Sequence, residues 1–87
     1  MIDKQVIEIL DRVLQLGDRA KRFTPATPLL GAVPELDSIA VVSVLTALEE
    51  QFGFFVEDDE IDASLFETVG SLVAFVESKA SSVHLNP

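Results

Sequence analysis

The chain has 87 residues, of which 48% are hydrophobic and 24% are charged, and its formal net charge is −9. This length predicts one small domain with a thin core, because a domain of this size buries only about 60–65% of its unfolded surface. Cysteine is absent, which excludes a disulfide framework, a thiol nucleophile and a thiolate metal site. No apolar run approaches the roughly 20 residues of a membrane span, so we expect no membrane insertion.

The negative charge is concentrated in residues 23–87, which hold eleven acidic side chains and a single basic one, Lys79. Residues 1–22 hold five basic and four acidic side chains. An acidic surface repels nucleic-acid backbones and favours partners with basic patches, although solubility alone explains such charge equally well. We therefore expect no nucleic-acid partner. Because the first ten residues mix charged with apolar side chains and lack a signal-peptide core, we also expect a cytoplasmic protein.

The first predicted element is an amphipathic helix from about Asp3 to Leu16, where apolar residues recur at helical spacing. Gly17 is a suitable C-terminal end for it. The segment from Gly17 to Leu36 contains three of the four prolines, which excludes a continuous helix. We expect an ordered connection that packs on the core, because a loop this long carries many apolar side chains. They are Phe23, Leu29, Leu30, Val33 and Leu36.

The second helix is predicted from Ser38 to Phe52, with Asp37 or Ser38 as its N-cap and Gly53 as its end. A helical wheel places one apolar face towards the core, formed by Val41, Leu45, Leu48 and Phe52 with Val44 at its edge. The opposite side also carries apolar residues, Ile39 and Val42. A small apolar patch with a charged rim is typical of a transient docking surface. Alternatively, these two side chains pack beneath the long loop or the next helix.

A short helix is predicted over the acidic run from Glu57 to Asp62. The run lacks the ligand spacing of an EF-hand loop, so we interpret it as a solvated acidic face and predict no metal site.

The last helix is predicted from Thr68 to about Lys79. The pattern as a whole predicts an all-α fold, a small antiparallel four-helix bundle with three longer helices, one short helix and a long first loop. We expect a single domain over residues 1–80 and a flexible tail over residues 81–87.

Ser38 lies where the loop meets the second helix, and its hydroxyl has three candidate roles. The first is N-capping. The second, a catalytic nucleophile, is disfavoured because a base must lie within hydrogen-bond reach and the only histidine, His84, follows the last predicted helix. The third is covalent modification, because a phosphate here would lie near free N–H groups and the positive end of the helix dipole. We assign no catalytic residue and expect no enzymatic activity.

The segment LDSIAVVSVLTALEEQFG, residues 36–53, closely resembles the modification helix of acyl carrier proteins. The family pattern is Asp-Ser followed by Leu, Ile or Met, then an amphipathic helix with central Val and Leu, a Glu-Glu pair and a Phe-Gly stop. The downstream segment FFVEDDEIDASLFETVGSLVAFVESK is similar to the family's acidic loop, short third helix and closing helix. The likeness covers nearly the whole chain.

The resemblance implies a carrier protein. Ser38 would bear 4'-phosphopantetheine, whose terminal thiol would hold acyl groups as thioesters for presentation to other enzymes. Asp37 would assist recognition by the phosphopantetheinyl transferase. The implied partners are this transferase and acyl-loading and acyl-transferring enzymes with basic patches, and a monomer suits such a shuttle. The positions that match the family's partner-docking residues are Ile39, Val42, Thr46, Glu49, Glu50, Asp58 and Asp62.

Several positions depart from the commonest family pattern. Pro34-Glu35-Leu36 precede Asp37, Ala40 stands where an acid is frequent, and Thr46 stands where Met is frequent. These departures favour a specialised carrier over the housekeeping carrier of fatty acid biosynthesis. The string TPLLGAVPELDS is also similar to the carrier associated with bacterial exosortase and exopolysaccharide gene clusters. Two alternatives remain: a peptidyl or aminoacyl carrier, and an unmodified acidic helical adaptor.

Overall fold

The computed structural model describes the backbone of residues 2–84 and the side chains of residues 2–80. This part of the chain contains three α-helices: α1 (Ile2–Leu14), α2 (Ser38–Phe52) and α3 (Val69–His84). Its connections contain three 3₁₀ helices, at Gly17–Arg22, Asp58–Glu60 and Ala63–Phe66. The predicted all-α fold with three longer helices is confirmed, and α1 packs against both α2 and α3.

A single apolar cluster forms the core and draws on all three helices, the long first loop and the third 3₁₀ helix. Burying one large aliphatic or aromatic side chain stabilises the fold by about 1.5–3 kcal/mol, so a small set of such residues carries most of the stability. The largest fully buried side chains are those of Phe66, Leu10, Leu29, Leu48, Leu72, Val6, Val44, Val69 and Val76.

α1 ends at Leu14, two residues before the predicted end, and the cause is a local turn. The Asp11 carbonyl accepts the Leu16 N–H at 3.2 Å, and the Asp11 carboxylate accepts the Gly17 N–H at 2.8 Å. Gln15 takes a left-handed conformation with φ 56° between them. The chain thereby leaves the helix early and enters the first 3₁₀ helix, which the sequence pattern did not predict.

The long first loop packs on the core as predicted, except at Leu30, which is 45% exposed. Leu29, Val33 and Leu36 are buried in the core. The Leu29 and Leu30 N–H groups donate to the carbonyls of Glu67 at 3.1 Å and Phe66 at 2.8 Å. The loop is therefore tied to the segment just before α3, and this tie fixes the point from which the chain enters α2.

A close backbone contact holds the same loop a few residues earlier. The Gly70 N–H donates to the Pro25 carbonyl at 2.7 Å. A Cβ at position 70 would lie 2.8 Å from that carbonyl oxygen, closer than real side chains approach. Glycine is therefore the residue that lets the loop and α3 meet here.

α2 has the predicted bounds, and Leu45 and Leu48 of its predicted core face are buried. Val44, placed at the edge of that face, is fully buried together with Leu45 and Leu48. Val41 and Phe52, placed at its centre, are only half-buried.

The predicted short helix near Glu57 to Asp62 is present as the 3₁₀ helix Asp58–Glu60, and a second 3₁₀ helix, Ala63–Phe66, follows it. The Glu57 and Glu60 side chains close the first turn reciprocally as a capping box. The Asp62 carboxylate caps the second turn by accepting the Ser64 N–H at 3.0 Å. Each turn is therefore bounded by its own acidic cap, and the backbone between them is extended rather than α-helical.

α3 begins directly after Thr68, which caps it as predicted. The Thr68 hydroxyl accepts the Ser71 N–H at 3.0 Å, and the Ser71 hydroxyl accepts the Thr68 N–H at 3.1 Å. The helix continues to His84, past its predicted end near Lys79. The predicted flexibility of residues 81–87 stays a prediction, and residues 85–87 lie outside the described residues. Among the helices of the described chain, none is long and apolar enough to span a bilayer.

Candidate functional site

The N-terminus of α2 is capped by Asp37. Its backbone is extended, with φ −104° and ψ −174°, and its carboxylate Oδ1 accepts the Ala40 N–H at 2.8 Å. The Asp37 carbonyl also accepts the Val41 N–H at 2.9 Å and so closes the first helical turn. Of the two N-caps that the sequence allowed, the structure therefore selects Asp37, and the capping role considered for Ser38 is wrong.

Ser38 is the first residue of α2, and its side chain is exposed. No hydrogen bond joins its hydroxyl to another group in the described part of the chain. The hydroxyl therefore faces solvent at the positive end of the helix dipole, where backbone N–H groups of the first turn have no helical acceptor. An oxygen in this position is accessible to a modifying enzyme and is well placed to carry a phosphate.

The turn that leads into the site is held by an ion pair between Arg19 and Glu35, which joins the first 3₁₀ helix to the end of the long loop. Its second hydrogen bond, from Arg19 Nη1 to Glu35 Oε1, measures 3.3 Å. The hydrogen bond from Arg19, and after it the backbone N–H of Glu35, lowers the pKa of the Glu35 carboxyl. Glu35 lies two residues before Asp37, so the pair joins the first 3₁₀ helix to the part of the loop that leads to Ser38.

The apolar residues beside Ser38 are not covered by the loop or by the 3₁₀ turns. Ile39 is 78% exposed and Val42 is 59% exposed. Thr46 and Glu50, further along α2, are exposed as well. Of the two interpretations of Ile39 and Val42, the structure excludes packing beneath a neighbouring segment and leaves an exposed apolar patch.

A groove of about 260 Å³, called the α2 groove below, lies between α2 and the segment that follows it. It brings together four of the residues that the family pattern assigns to docking, and it leaves out Ile39, Glu50 and Asp62. Its lining residues are Val42, Leu45, Thr46, Glu49, Phe55, Val56, Asp58 and Ile61.

Glu49 and Glu50 are neighbours in sequence and differ in environment. Glu50 is exposed, whereas Glu49 is half-buried. The Glu49 carboxylate Oε2 accepts the Val56 N–H at 2.8 Å. Glu49 therefore has a structural partner within the chain, and Glu50 leaves its whole charge to solvent.

Two groove residues escaped the sequence analysis, namely Phe55 and Ile61, which are 68% and 42% exposed. Neither residue was assigned to docking from the sequence. One signal was available, because Gly53 ends α2 and an extended segment alternates its side chains between inside and outside. In Phe54-Phe55-Val56, burial of the first and third residues places the middle one outside.

The two acidic residues assigned beyond α2 have different roles in the structure. Asp58 is exposed and lines the α2 groove, whereas Asp62 caps the third 3₁₀ helix. The neighbouring Glu60 pairs with Lys79 of α3 at 2.9 Å, which ties the acidic segment to the last helix. Across the residues whose side chains are described, no three His, Cys, Asp or Glu residues are grouped as a metal site requires.

Comparison with known proteins agrees with the geometry of the α2 N-terminus. The family model described as a phosphopantetheine attachment site matches residues 4–76. The fold is also similar to the solution structure of a holo acyl carrier protein from Nitrosomonas europaea, with a TM-score of 0.85 and 57% sequence identity. That match covers 91% of this chain and 95% of the other one.

Proposed function

The chain belongs to the phosphopantetheine-binding carrier family as an acyl carrier protein, and on this premise we propose that Ser38 is the residue that bears the arm. A carrier of this family presents acyl groups to enzymes and is not itself a catalyst. The peptidyl or aminoacyl carrier and the unmodified adaptor are therefore less well supported than the acyl carrier. The observation that carries the assignment to Ser38 is its exposed hydroxyl at the start of a helix that Asp37 caps.

The residues around Ser38 fit a phosphodiester. Ser38 Oγ supplies the ester oxygen, and the first turn of α2 supplies a positive dipole end for the remaining negative charge. Asp37 is engaged with the Ala40 N–H, so its carboxylate keeps the serine at a fixed place on the helix. The arm, once attached, supplies a terminal thiol that holds an acyl group as a thioester. The chain itself holds the arm at Ser38 and leaves it accessible to other enzymes.

We propose that partners dock on the exposed side of α2 and the adjoining acidic segment. The residues concerned are Ile39, Val42, Thr46, Glu49, Glu50, Asp58 and Asp62. The partners are the phosphopantetheinyl transferase and acyl-handling enzymes with basic patches, since an acidic surface with a small apolar centre attracts such patches and releases them quickly. A cytoplasmic monomer suits this exchange between successive enzymes, and residues 1–80 are proposed to form the complete carrier domain.

The assignment to Ser38 is tested by intact-mass measurement after incubation with coenzyme A and a phosphopantetheinyl transferase of broad specificity. We expect one adduct, mapped to Ser38 by peptide fragmentation. Ser38→Ala should abolish it, and Ser43→Ala is the matched control, because Ser43 is a second exposed serine of the same helix. An adduct that persists in folded Ser38→Ala would overturn the assignment.

We also propose that this carrier is of the specialised type associated with exosortase and exopolysaccharide gene clusters. The support is the string TPLLGAVPELDS together with Ala40 and Thr46, which depart from the commonest pattern on the helix that meets partners. Expression in a bacterial strain depleted of its housekeeping carrier tests the proposal. We expect the pantetheinylated chain to be present without restoring growth. Restored growth would assign it to general fatty acid biosynthesis instead.

A further inference from the structure

The paired acids of α2 differ in the way they meet the rest of the chain, and this difference has a functional consequence. We infer that Glu49 is a positioning residue, which holds the segment after α2 in place so that Phe55 becomes a contact residue of the docking surface. The inference rests on the proposed docking surface and refines it. It assigns the free surface charge of the pair to Glu50 alone.

Glu49 holds the following segment through both its backbone and its side chain. Its carbonyl accepts the Gly53 N–H at 2.8 Å, and its carboxylate accepts the Val56 N–H at 2.8 Å. Gly53 takes a left-handed conformation with φ 73°, which turns the chain back towards α2. The segment from Gly53 to Val56 is thereby closed into a loop whose two ends are bound to one residue.

The neighbours of Phe55 fix the direction in which it points. Phe54 is buried, with its ring stacked on Phe52 and in edge contact with Phe75, each at a centroid distance of 6.4 Å. Val56, two residues further along the chain, is also buried. In an extended segment the intervening side chain must face outward, and Phe55 accordingly borders the α2 groove with 68% of its surface exposed.

Phe55 enlarges the apolar centre of the proposed docking surface. With Val42 and Ile61 it lines one groove, and Asp58 stands beside them. Exposed phenyl rings are costly to solvate and are effective anchors when a partner offers a pocket. The complementary partner is therefore a protein surface with an apolar pocket and a basic rim, matched to the excess negative charge of residues 23–87.

The two possible roles of Glu49 respond differently to substitution. A surface charge is lost equally in Glu49→Gln and Glu49→Ala. A hydrogen-bond acceptor is retained in Glu49→Gln, because the amide oxygen still accepts the Val56 N–H, and is lost in Glu49→Ala. Glu50→Gln is the matched control for loss of charge, since Glu50 is exposed and follows in sequence.

The experiment measures kcat and KM for pantetheinylation by a phosphopantetheinyl transferase with coenzyme A, and Val56 amide hydrogen exchange by NMR. In Glu49→Ala we expect about tenfold faster exchange at Val56 and about fivefold higher KM for the carrier, with kcat unchanged. Glu49→Gln should rescue both quantities to within about twofold. Phe55→Ala should raise KM about as much as Glu49→Ala and leave Val56 protected.

The outcomes separate this inference from the function on which it rests. Equal losses in Glu49→Gln and Glu49→Ala, with Val56 still protected in both, would overturn the positioning role and return Glu49 to the surface charges. An unchanged KM in Phe55→Ala would overturn Phe55 as a contact. Failure of the docking surface itself would appear as an unchanged KM in Ile39→Ala and Glu50→Gln, while Val56 exchange still reports on Glu49.

Discussion

α1 and α2 bury one face each in the same core and differ on the face turned to solvent. The exposed positions of α1 are polar or charged, namely Lys4, Gln5, Glu8 and Arg12. α2 exposes Ile39 and Val42 at 78% and 59%. The inner faces are what folding requires of a bundle helix. The core does not need Ile39 and Val42, so their exposure indicates a functional surface on α2.

The largest expected effect is a loss of stability, and it tests whether the buried faces of α1 and α2 contribute equally to the core. Leu10 in α1 and Leu48 in α2 are both fully buried, and truncation removes the same atoms from the same core. We expect Leu10→Ala and Leu48→Ala each to lower the free energy of unfolding by about 2–5 kcal/mol. Urea denaturation followed by circular dichroism measures the loss. A loss in one helix only would show that the two faces do not share one cooperative core.

The inner faces were predictable because periodicity reports burial directly. The bounds of α2 and the start of α3 followed from caps and glycine at known positions. The full burial of Val44 and the half-burial of Val41 and Phe52 could not be predicted from the sequence. A single helical wheel contains no information about its neighbours.

The candidate site was predictable in its residues and less so in their roles. Ser38, Ile39 and Val42 were assigned from the sequence, and the structure leaves all three exposed. The sequence allowed either Asp37 or Ser38 as the N-cap of α2, and the hydrogen bond from the Ala40 N–H identifies Asp37. The different environments of Glu49 and Glu50 could not be predicted from the sequence, because the Val56 N–H that binds Glu49 lies seven residues away across a turn.

The second prediction concerns the outer faces. Ile39→Ala removes the most exposed apolar side chain of α2, and we expect about tenfold lower kcat/KM for pantetheinylation, equivalent to about 1.4 kcal/mol of docking free energy. Gln5→Ala on the outer face of α1 is the control and should leave kcat/KM unchanged. Both variants should keep the unfolding free energy within about 0.5 kcal/mol of the parent. Equal kinetics in the two variants would remove the functional distinction between the outer faces.

The third prediction concerns the start of α2. Asp37→Ala removes the acceptor of the Ala40 N–H, and we expect a loss of about 1 kcal/mol in unfolding free energy. Asp37→Asn should recover most of it, since asparagine caps about as well as aspartate. Ser38→Ala should leave stability close to that of the parent, because its hydroxyl does not cap. Urea midpoints measured on all three variants separate the cap from the candidate modification site, and a loss in Ser38→Ala as large as in Asp37→Ala would contradict the separation.

The smallest effect concerns the acidic segment that borders the docking surface of α2. The backbone N–H of Glu57, and after it Lys79, lowers the pKa of the Glu60 carboxyl. A carboxyl whose pKa is lower in the folded state stabilises that state above its unfolded pKa, and the stabilisation is lost as pH falls through the folded value. We expect the urea midpoint to fall with acidification less steeply in Glu60→Gln than in the parent. Lys79→Gln should keep the larger part of the Glu60 contribution, because the Glu57 N–H still binds the carboxylate. Lys79→Gln could instead flatten the pH dependence of the urea midpoint as fully as Glu60→Gln. The ion pair to α3, and not the hydrogen bond from the Glu57 N–H, would then be the main source of the Glu60 contribution.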